Sequence, residues 1–453
     1  MSSRILLINS NSCATPYPVY PLGLSHVASA LIQAGHTVEF LDLNVPGADL
    51  AEGIARFVPS IIGLTIRNVD DCHLENPRFL VQHDIQLAQS IKRMSSVPLV
   101  LGGSGFSIFP QRILELSGAD FGVQGEGERA MASLVDALEQ SRGFARIPGL
   151  VYRSEGVIRV NENAGAPAAH VPALRPAALS EYYVRESSML SVQTQRGCAF
   201  RCCYCSYPVI EGRTFRPWSA QEVGEDLDRV KATGVQYFFV VDSVFNSTAD
   251  HVAAVCEEMI RRNIGIPWGC FLRPTGLTDE LVALMARAGL KHVEFGTDSF
   301  CDSVLDAYGK GFSFGDIFEA SETMRRNRVR HAHFLIVGGP GETEATMREG
   351  YANSQRLKKT VAFPFVGMRL FPRTPLHDRA VGEGVVSGDF DLFPPYFYLS
   401  PGIARARIYE VLDEFRANAG NWIVGEPPPE MLRVMEQLRQ RGVAGPMWEF
   451  LVK

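Results

Sequence analysis

The sequence lacks any apolar run near the roughly 20 residues that a membrane-crossing helix requires, so no membrane span is expected. It also lacks a block of lysine and arginine, and its net charge is −6. Nucleic-acid binding therefore gains no electrostatic support, and no nucleic-acid partner is expected. No repeat of solenoid length runs through its 453 residues. Cysteine is sparse and unevenly placed: of nine, only Cys13 and Cys72 precede residue 150, and four crowd into residues 198–205. In so long a chain this argues against a disulfide framework and for a metal site in a reducing, cytoplasmic setting. The run 1–9 reads as a first strand rather than a signal peptide. What remains is ordinary for a globular protein, with 46% hydrophobic and 21% charged residues, and the length asks for about two or three domains.

Residues 4–140 alternate short apolar strands, at 5–9, 37–42, 61–66, 99–102 and 121–124, with helical stretches at 22–34, 84–94, 111–116 and 128–139. That alternation predicts a Rossmann-like, doubly wound parallel sheet over 1–145, with ligands beyond the carboxyl ends of its strands. Residues 146–190 break the rhythm, reading as a hairpin around Glu155-Gly156 and then an Ala- and Pro-rich linker at 164–178. A second alternation fills 191–400, with strands expected at 191–194, 237–241, 269–273, 292–296, 333–337 and 366–370. The tail, 401–453, reads as mainly helical.

The most informative segment is Gln195-Arg196-Gly197-Cys198-Ala199-Phe200-Arg201-Cys202-Cys203-Tyr204-Cys205. Cys198, Cys202 and Cys205 have the spacing C-x3-C-x2-C, with an aromatic residue before the last cysteine. Three thiolates on one loop can hold three irons of a cubane cluster and leave the fourth open to a ligand. Zinc would want a fourth ligand, commonly from a second cysteine pair. No second pair follows, and the next histidine is His251. Cys203 does not fit the spacing and reads as a bystander.

The segment resembles the signature of the radical S-adenosylmethionine (radical SAM) enzymes. The flanks Arg196-Gly197, Tyr207-Pro208 and Ile210-Glu211-Gly212-Arg213 are similar to members fused to a cobalamin-binding domain. The resemblance implies a partial (β/α)6 barrel over 191–400 and a [4Fe–4S] cluster on the three cysteines. It implies SAM on the open iron, cleaved by one electron to methionine and a 5'-deoxyadenosyl radical. It further implies SAM contacts at Tyr204, Asp242, Ser243, Asp298, Gly338, Gly339 and Glu342. Asp242 and Ser243 also read as a strand-end turn and helix cap. Asp298 stands where the family commonly has Glu. Arg369 and Arg373 flank the last strand end, readable as anion ligands or, for Arg373, as a solvated side chain.

The first 145 residues resemble the cobalamin-binding domains of those fused proteins. The D-x-H-x-x-G element is absent, with Asn9-Ser10-Asn11-Ser12-Cys13 in its place. Thr65 stands where a serine recurs, Gly102-Gly103 is intact, and Gly125-Glu126 matches the fused family. The resemblance therefore implies cobalamin on Thr65, Arg67, Gly102, Gly103, Gly125 and Glu126, with no histidine reaching cobalt from the first loop. His73 is a weak alternative ligand, and a degenerate domain without cofactor is the competing reading. No G-x-G-x-x-G follows the first strand, which disfavours a dinucleotide.

Together these imply a radical SAM enzyme, foremost a cobalamin-dependent methyltransferase of an unactivated carbon or a phosphorus in a small metabolite or lipid precursor. An external one-electron reductant of flavodoxin or ferredoxin type is implied. The alternative is a radical SAM enzyme that cyclises, oxidises, ring-contracts or transfers an aminocarboxypropyl group. Methylthiotransferases of transfer RNA need a second cluster with three N-terminal cysteines, which Cys13 and Cys72 cannot supply.

Overall fold

The computed structural model describes residues 2–13, 17–163, 170–425 and 429–451. The chain divides into two compact units. The first holds the residues up to Asp71, Pro77–Tyr183 and Ser206–Gly212; the second holds Cys72–Asn76, Val184–Cys205 and the chain from Arg213 onward.

The first unit runs β1 (Arg4–Asn9), α1 (Leu22–Gln33), β2 (Thr37–Asp42), α2 (Leu50–Phe57), β3 (Ile61–Thr65), α3 (Val81–Met94), β4 (Leu99–Gly102), α4 (Ser104–Ile108), α5 (Pro110–Ser117), β5 (Phe121–Val123), α6 (Gly127–Glu139), β6 (Leu150–Ser154) and β7 (Val157–Val160), and α7 (Ala177–Ser187) follows. The sheet order is β2-β1-β3-β4-β5-β6-β7. The first five strands are parallel. β1 is buried on both faces beyond its first residue, as the unbroken apolar run Ile5–Ile8 requires of a central parallel strand. Ile5, Leu7, Ile61 and Val100 pack with Leu24, Leu31 and Leu134 to form one side of the core. The order reverses between β1 and β3, and that switch point is where such sheets open a ligand crevice.

Three expectations change. The hairpin β6/β7 does not stand apart but extends the first sheet by antiparallel pairing. Of the expected linker, residues 164–169 lie outside the described residues, and its end is taken by helix α7. Helix α2 was missed, although Asp49 caps it by accepting from the Glu52 N–H, a pairing readable as Asp-x-x-Glu.

The second unit carries β8 (Leu190–Val192), β9 (Gln195–Arg196), β10 (Arg216–Pro217), α9 (Ala220–Ala232), β11 (Phe238–Val240), α10 (Ala249–Arg261), β12 (Trp268–Leu272), α11 (Asp279–Arg287), β13 (Leu290–Asp298), α12 (Asp302–Ala307), α13 (Phe314–Arg326), β14 (Arg330–Val337), α14 (Glu344–Ser354) and β15 (Thr360–Val366). The short helix α8 (Tyr207–Ile210), between β9 and β10 in the chain, belongs to the first unit. Six strands form one sheet in the order β15-β14-β13-β12-β11-β8, parallel throughout. The partial six-stranded barrel is thus present, but its last strand is shifted from the expected 366–370. Pro364 lies within β15 and is tolerated because β15 is an edge. Gly367, at φ +81°, turns the chain out of the sheet. Residues Met368–Arg369 (β16) then pair antiparallel with Phe397–Tyr398 (β17). The tail is helical as expected, with α15 (Pro375–Gly382), α16 (Arg405–Asn418), α17 (Pro429–Gln440) and a 3-10 turn at Met447–Leu451. Ile408, Val411, Leu412 and Phe415 of α16 join Leu335 and Val337 in the outer core.

Candidate functional site

The cysteine loop leaves the carboxyl end of β8, and the two-residue ladder between β9 and β10 closes its base. Strand β11 anchors it. Asp242 is fully buried and accepts from the Thr194 N–H at 2.7 Å, the Gln195 N–H at 3.3 Å and the Thr194 hydroxyl. His251 meets that same hydroxyl at 2.8 Å, and burial lowers its pKa to about 4. The Asp242 carboxylate is therefore engaged in holding the strand end that launches the loop. Ser243 donates to the Gly197 carbonyl at 3.0 Å, one residue before Cys198. All nine cysteines are free thiols. Burial pushes the Cys198 thiol up, opposed by the Phe200 N–H, the Ser243 hydroxyl and the Arg273 charge. Burial holds Cys203 further up, at about 12. Its backbone is pinned, donating to Tyr308 O at 2.9 Å and accepting from the Leu376 N–H at 2.8 Å.

Among the described residues, no three His, Cys, Asp or Glu side chains gather closely enough to share one metal ion. A cubane asks for something different, since each thiolate binds its own iron. Three free thiols on one short loop, with cations beside them, suit such a cluster.

Behind the loop lies a strap, Tyr308-Gly309-Lys310. The Tyr204 hydroxyl donates to Asp298 at 2.6 Å, and Lys310 Nζ reaches the same oxygen at 2.6 Å. Burial opposes the Lys310 charge, but Asp298 and the Cys202 thiol outweigh it and keep the ammonium above its ordinary value. Asp298 itself sits at φ +66°. Gly309 presses on the loop: a Cβ there would lie 2.6 Å from Arg201 O. The turn after β14 is equally engaged. Glu342 is buried, accepts from the Gly338 N–H at 2.6 Å and from the Tyr308 hydroxyl at 3.2 Å, and burial raises its pKa to about 7. Gly339 donates to Tyr308 Oη at 3.1 Å. Gly338 sits at φ +87°, where a side chain is strained, and a Cβ there would meet Leu399 at 2.8 Å, so the backbone itself already favours glycine. Arg369 is also internal, donating to the carbonyls of Leu370, Leu392 and Phe393, whereas Arg373 is exposed.

The open face of the sheet is aromatic. Register places Phe271 opposite Glu294 and Glu294 opposite Ala332, so this face continues through Phe334 and Phe363. Phe239 meets Phe271 edge-on at 4.9 Å, and Phe334 stacks with Phe363 at 5.2 Å and Phe365 at 6.2 Å. His73, in the segment that groups with this unit, packs against Phe365 at 5.6 Å. Phe271 and Phe365 remain exposed. The 3-10 turn closes the floor. Trp448 Nε1 donates to Glu294 Oε1 at 2.9 Å, while Glu449 meets His292 and bridges to Arg330 at 2.8 Å. Burial raises the Glu294 carboxyl to about 7. Sequence reading missed Glu294, Lys310 and Arg273, because nothing in their spacing marks them.

In the first unit, Thr65 and Gly102 are paired neighbours at the carboxyl ends of β3 and β4. A Cβ on Gly102 would have only Val123 O near it, at 4.0 Å, leaving room above that edge. Gly103 differs: its φ of +100° and ψ of 172° suit glycine alone, and a Cβ would lie 2.5 Å from Ile66 O. It brings Ser104 within 2.7 Å of Arg67 O, tying down the Arg67 loop while the Arg67 side chain stays exposed. Gly125, at φ +85°, donates to Ser107 Oγ at 2.9 Å, and Glu126 precedes helix α6. At the switch point, Ser10 donates to Thr65 O at 2.7 Å. Burial raises nearby Asp84 to about 7, with the Ser10 hydrogen bond opposing. A crevice with Gly102 open and small polar groups at its rim fits a ligand approached by backbone.

Comparison with known proteins follows the same division. Residues 192–351 match the radical SAM superfamily, and residues 14–135 match the B12 binding domain. A tryptophan 2-C-methyltransferase of Streptomyces laurentii is 26% identical, across 81% of this chain and 73% of its own. An anaerobic magnesium-protoporphyrin IX monomethyl ester cyclase of Rubrivivax gelatinosus is also 26% identical, across 86% of this chain and 72% of its own. The structure of the radical SAM methyltransferase TsrM from Kitasatospora setae, with cobalamin and a [4Fe–4S] cluster bound, shares the fold with a TM-score of 0.86 at 23% identity, covering 100% of this chain and 97% of that one. No helix among the described residues is long and apolar enough to cross a membrane.

Proposed function

Because the chain belongs to the radical SAM superfamily and carries a B12-binding domain ahead of its radical SAM domain, we propose that it is a cobalamin-dependent radical SAM methyltransferase of a small molecule. The carrying observation is the three-cysteine loop at the carboxyl end of the first strand of a parallel partial barrel. When bound, the cluster supplies the electron that cleaves SAM, and cobalamin supplies a methyl carrier able to react with a carbon radical. Cys198, Cys202 and Cys205 would ligate the cluster. Tyr204, Ser243, Asp298 and the 338–342 turn would shape the SAM pocket, with Asp242 acting through the strand end it ties. Thr65, Gly102 and the backbone of the Arg67 loop would face the corrin, with Gly103, Gly125 and Glu126 shaping its rim.

The protein's own share is position and exclusion of water. The aromatic face favours an apolar, ring-bearing substrate, and Glu294, with one oxygen bonded to Trp448, offers its other oxygen to a donor on that substrate. The electron would come from a flavodoxin or ferredoxin in the cytoplasm. Incubation of the reconstituted protein with methyl-deuterated SAM, reductant and cobalamin should yield S-adenosylhomocysteine and labelled methylcobalamin. With a true substrate, tryptophan being the first probe, three deuteriums should enter the product. The equal identity to a cyclase favours one other reading, a radical SAM enzyme that does not methylate. An unlabelled product formed without cobalamin would select it.

A further inference from the structure

Two cations lie buried beside the cysteine loop, and they are not equivalent. Lys310, 5% exposed, is matched by the buried carboxylate of Asp298. Arg273, 6% exposed, has no carboxylate within ion-pair distance among the described residues. Its Nη2 donates to the Lys310 carbonyl, and its Nε is buried with no partner. Its plane lies over two rings: Phe200 of the cysteine loop, 3.6 Å from Cζ, and Phe312 at 4.9 Å.

A guanidinium stays charged and is costly to bury without an anion. The aromatic faces offset part of that cost. Burial lowers the Arg273 guanidinium from its ordinary value, and the groups that oppose this are the Cys202 and Cys198 side chains first, then Asp298, which is already paired with Lys310. Phe200 lies between Cys198 and Cys202 in the chain, so the stack on Phe200 holds the charge against the stretch that ligates iron. A thiolate-ligated cluster gains one negative charge when it takes an electron, and net charge and burial set its potential. A fixed cation alongside favours the reduced form.

We propose that Arg273 is the buried counter-charge of the iron–sulfur cluster, a positioning residue that raises its reduction potential and so makes the one-electron reduction easier. This rests on the cluster reading above, which the wild-type protein tests by itself. If the wild type takes up no cluster, that reading fails, and the comparison below is made only between loaded proteins.

The test is a dithionite titration of anaerobically reconstituted wild type, Arg273→Met and Arg273→Lys, followed by electron paramagnetic resonance and by iron content. It is run without SAM, so that no bound carboxylate neutralises the arginine during the titration. Each titration step is the uptake of one dithionite-derived electron by the cluster. At a fixed ambient potential the reduced-to-oxidised ratio should fall at least tenfold in Arg273→Met, which for a one-electron couple is about 59 mV. Arg273→Lys should stay near wild type. Loss of cluster in Arg273→Met but not in Arg273→Lys would equally assign the charge. Equal potentials in loaded Met and Lys variants, or loss of cluster in both, would overturn the proposal and leave Arg273 a packing residue.

Discussion

The parallel strands of the two sheets present opposite kinds of carboxyl edge. At the carboxyl ends of β1, β3 and β4 in the first sheet the residues are small or polar: Ser10, Thr65, Gly102 and Gly103. Backbone lies near the surface of the crevice, and among these only Gly102 is sterically open. At the carboxyl ends of the second sheet the residues are buried and charged: Asp242, Arg273, Asp298 with Lys310, and Glu342. A bulky, largely neutral macrocycle needs room and close backbone. An anionic cluster that changes charge needs fixed counter-charges in a low dielectric. The contrast shows which chemistry each edge can serve.

The sharpest break would come from the cysteines. Replacing Cys198, Cys202 and Cys205 together by Ala should abolish cluster iron and SAM cleavage, while Cys203→Ala should keep both. Loss of iron in Cys203→Ala alone would reassign the ligand set.

Next in size is the buried pair. Lys310→Met would strand the Asp298 carboxylate and should cost about 3–5 kcal/mol. Urea unfolding of the apoprotein measures this, and a loss under 1 kcal/mol would mean that Tyr204 alone suffices.

The two adjacent glycines of the first unit should then part company. Gly103→Ala, forced into a backbone region that only glycine occupies, should cost roughly 1–3 kcal/mol. Gly102→Val should leave the melting temperature nearly unchanged and weaken hydroxocobalamin binding. Unchanged cobalamin affinity would move the corrin away from Gly102.

The smallest effect is in pH dependence. Burial holds the Glu342 carboxyl at about 7 in the folded chain against an ordinary 4.5. The folded state then keeps a proton that the unfolded state has released. Stability from this group is full below about pH 4.5 and is lost as pH rises through about 7. Glu342→Gln should flatten that fall in thermal scans. It should not erase it, because Glu294 and Asp84, both raised to about 7, act in the same window. An unchanged slope would remove Glu342 from this account.

How much of this could be read in the sequence depended on whether chemistry sits in spacing or in folding. The C-x3-C-x2-C run carries its own spacing, so the loop was legible from the residues and the barrel from the resemblance that the run supports. β1, β3 and β4 were legible because buried parallel strands are apolar runs, whereas β2 is a half-exposed edge strand in which polar and apolar residues mix. β15 lies ahead of the expected 366–370, in a run that includes Pro364, a residue that disfavours strand interiors, and the hairpin's membership in the first sheet depends on long-range pairing that no local pattern encodes. Gly338 and Gly339 read as ligand contacts, yet both also serve packing against Leu399 and Tyr308. Arg273, at the end of an expected strand, and Lys310, in a loop, stayed hidden because a lone cation looks solvated until folding buries it.

The central claim is that one chain holds both cofactors. Anaerobic reconstitution with iron, sulfide and hydroxocobalamin, followed by gel filtration and assay of iron and cobalt, tests it most directly. The account predicts one [4Fe–4S] cluster and one cobalamin retained per chain, with cobalamin kept and iron lost in the triple-cysteine variant. Retention of the cluster with no cobalamin in the wild type would contradict it.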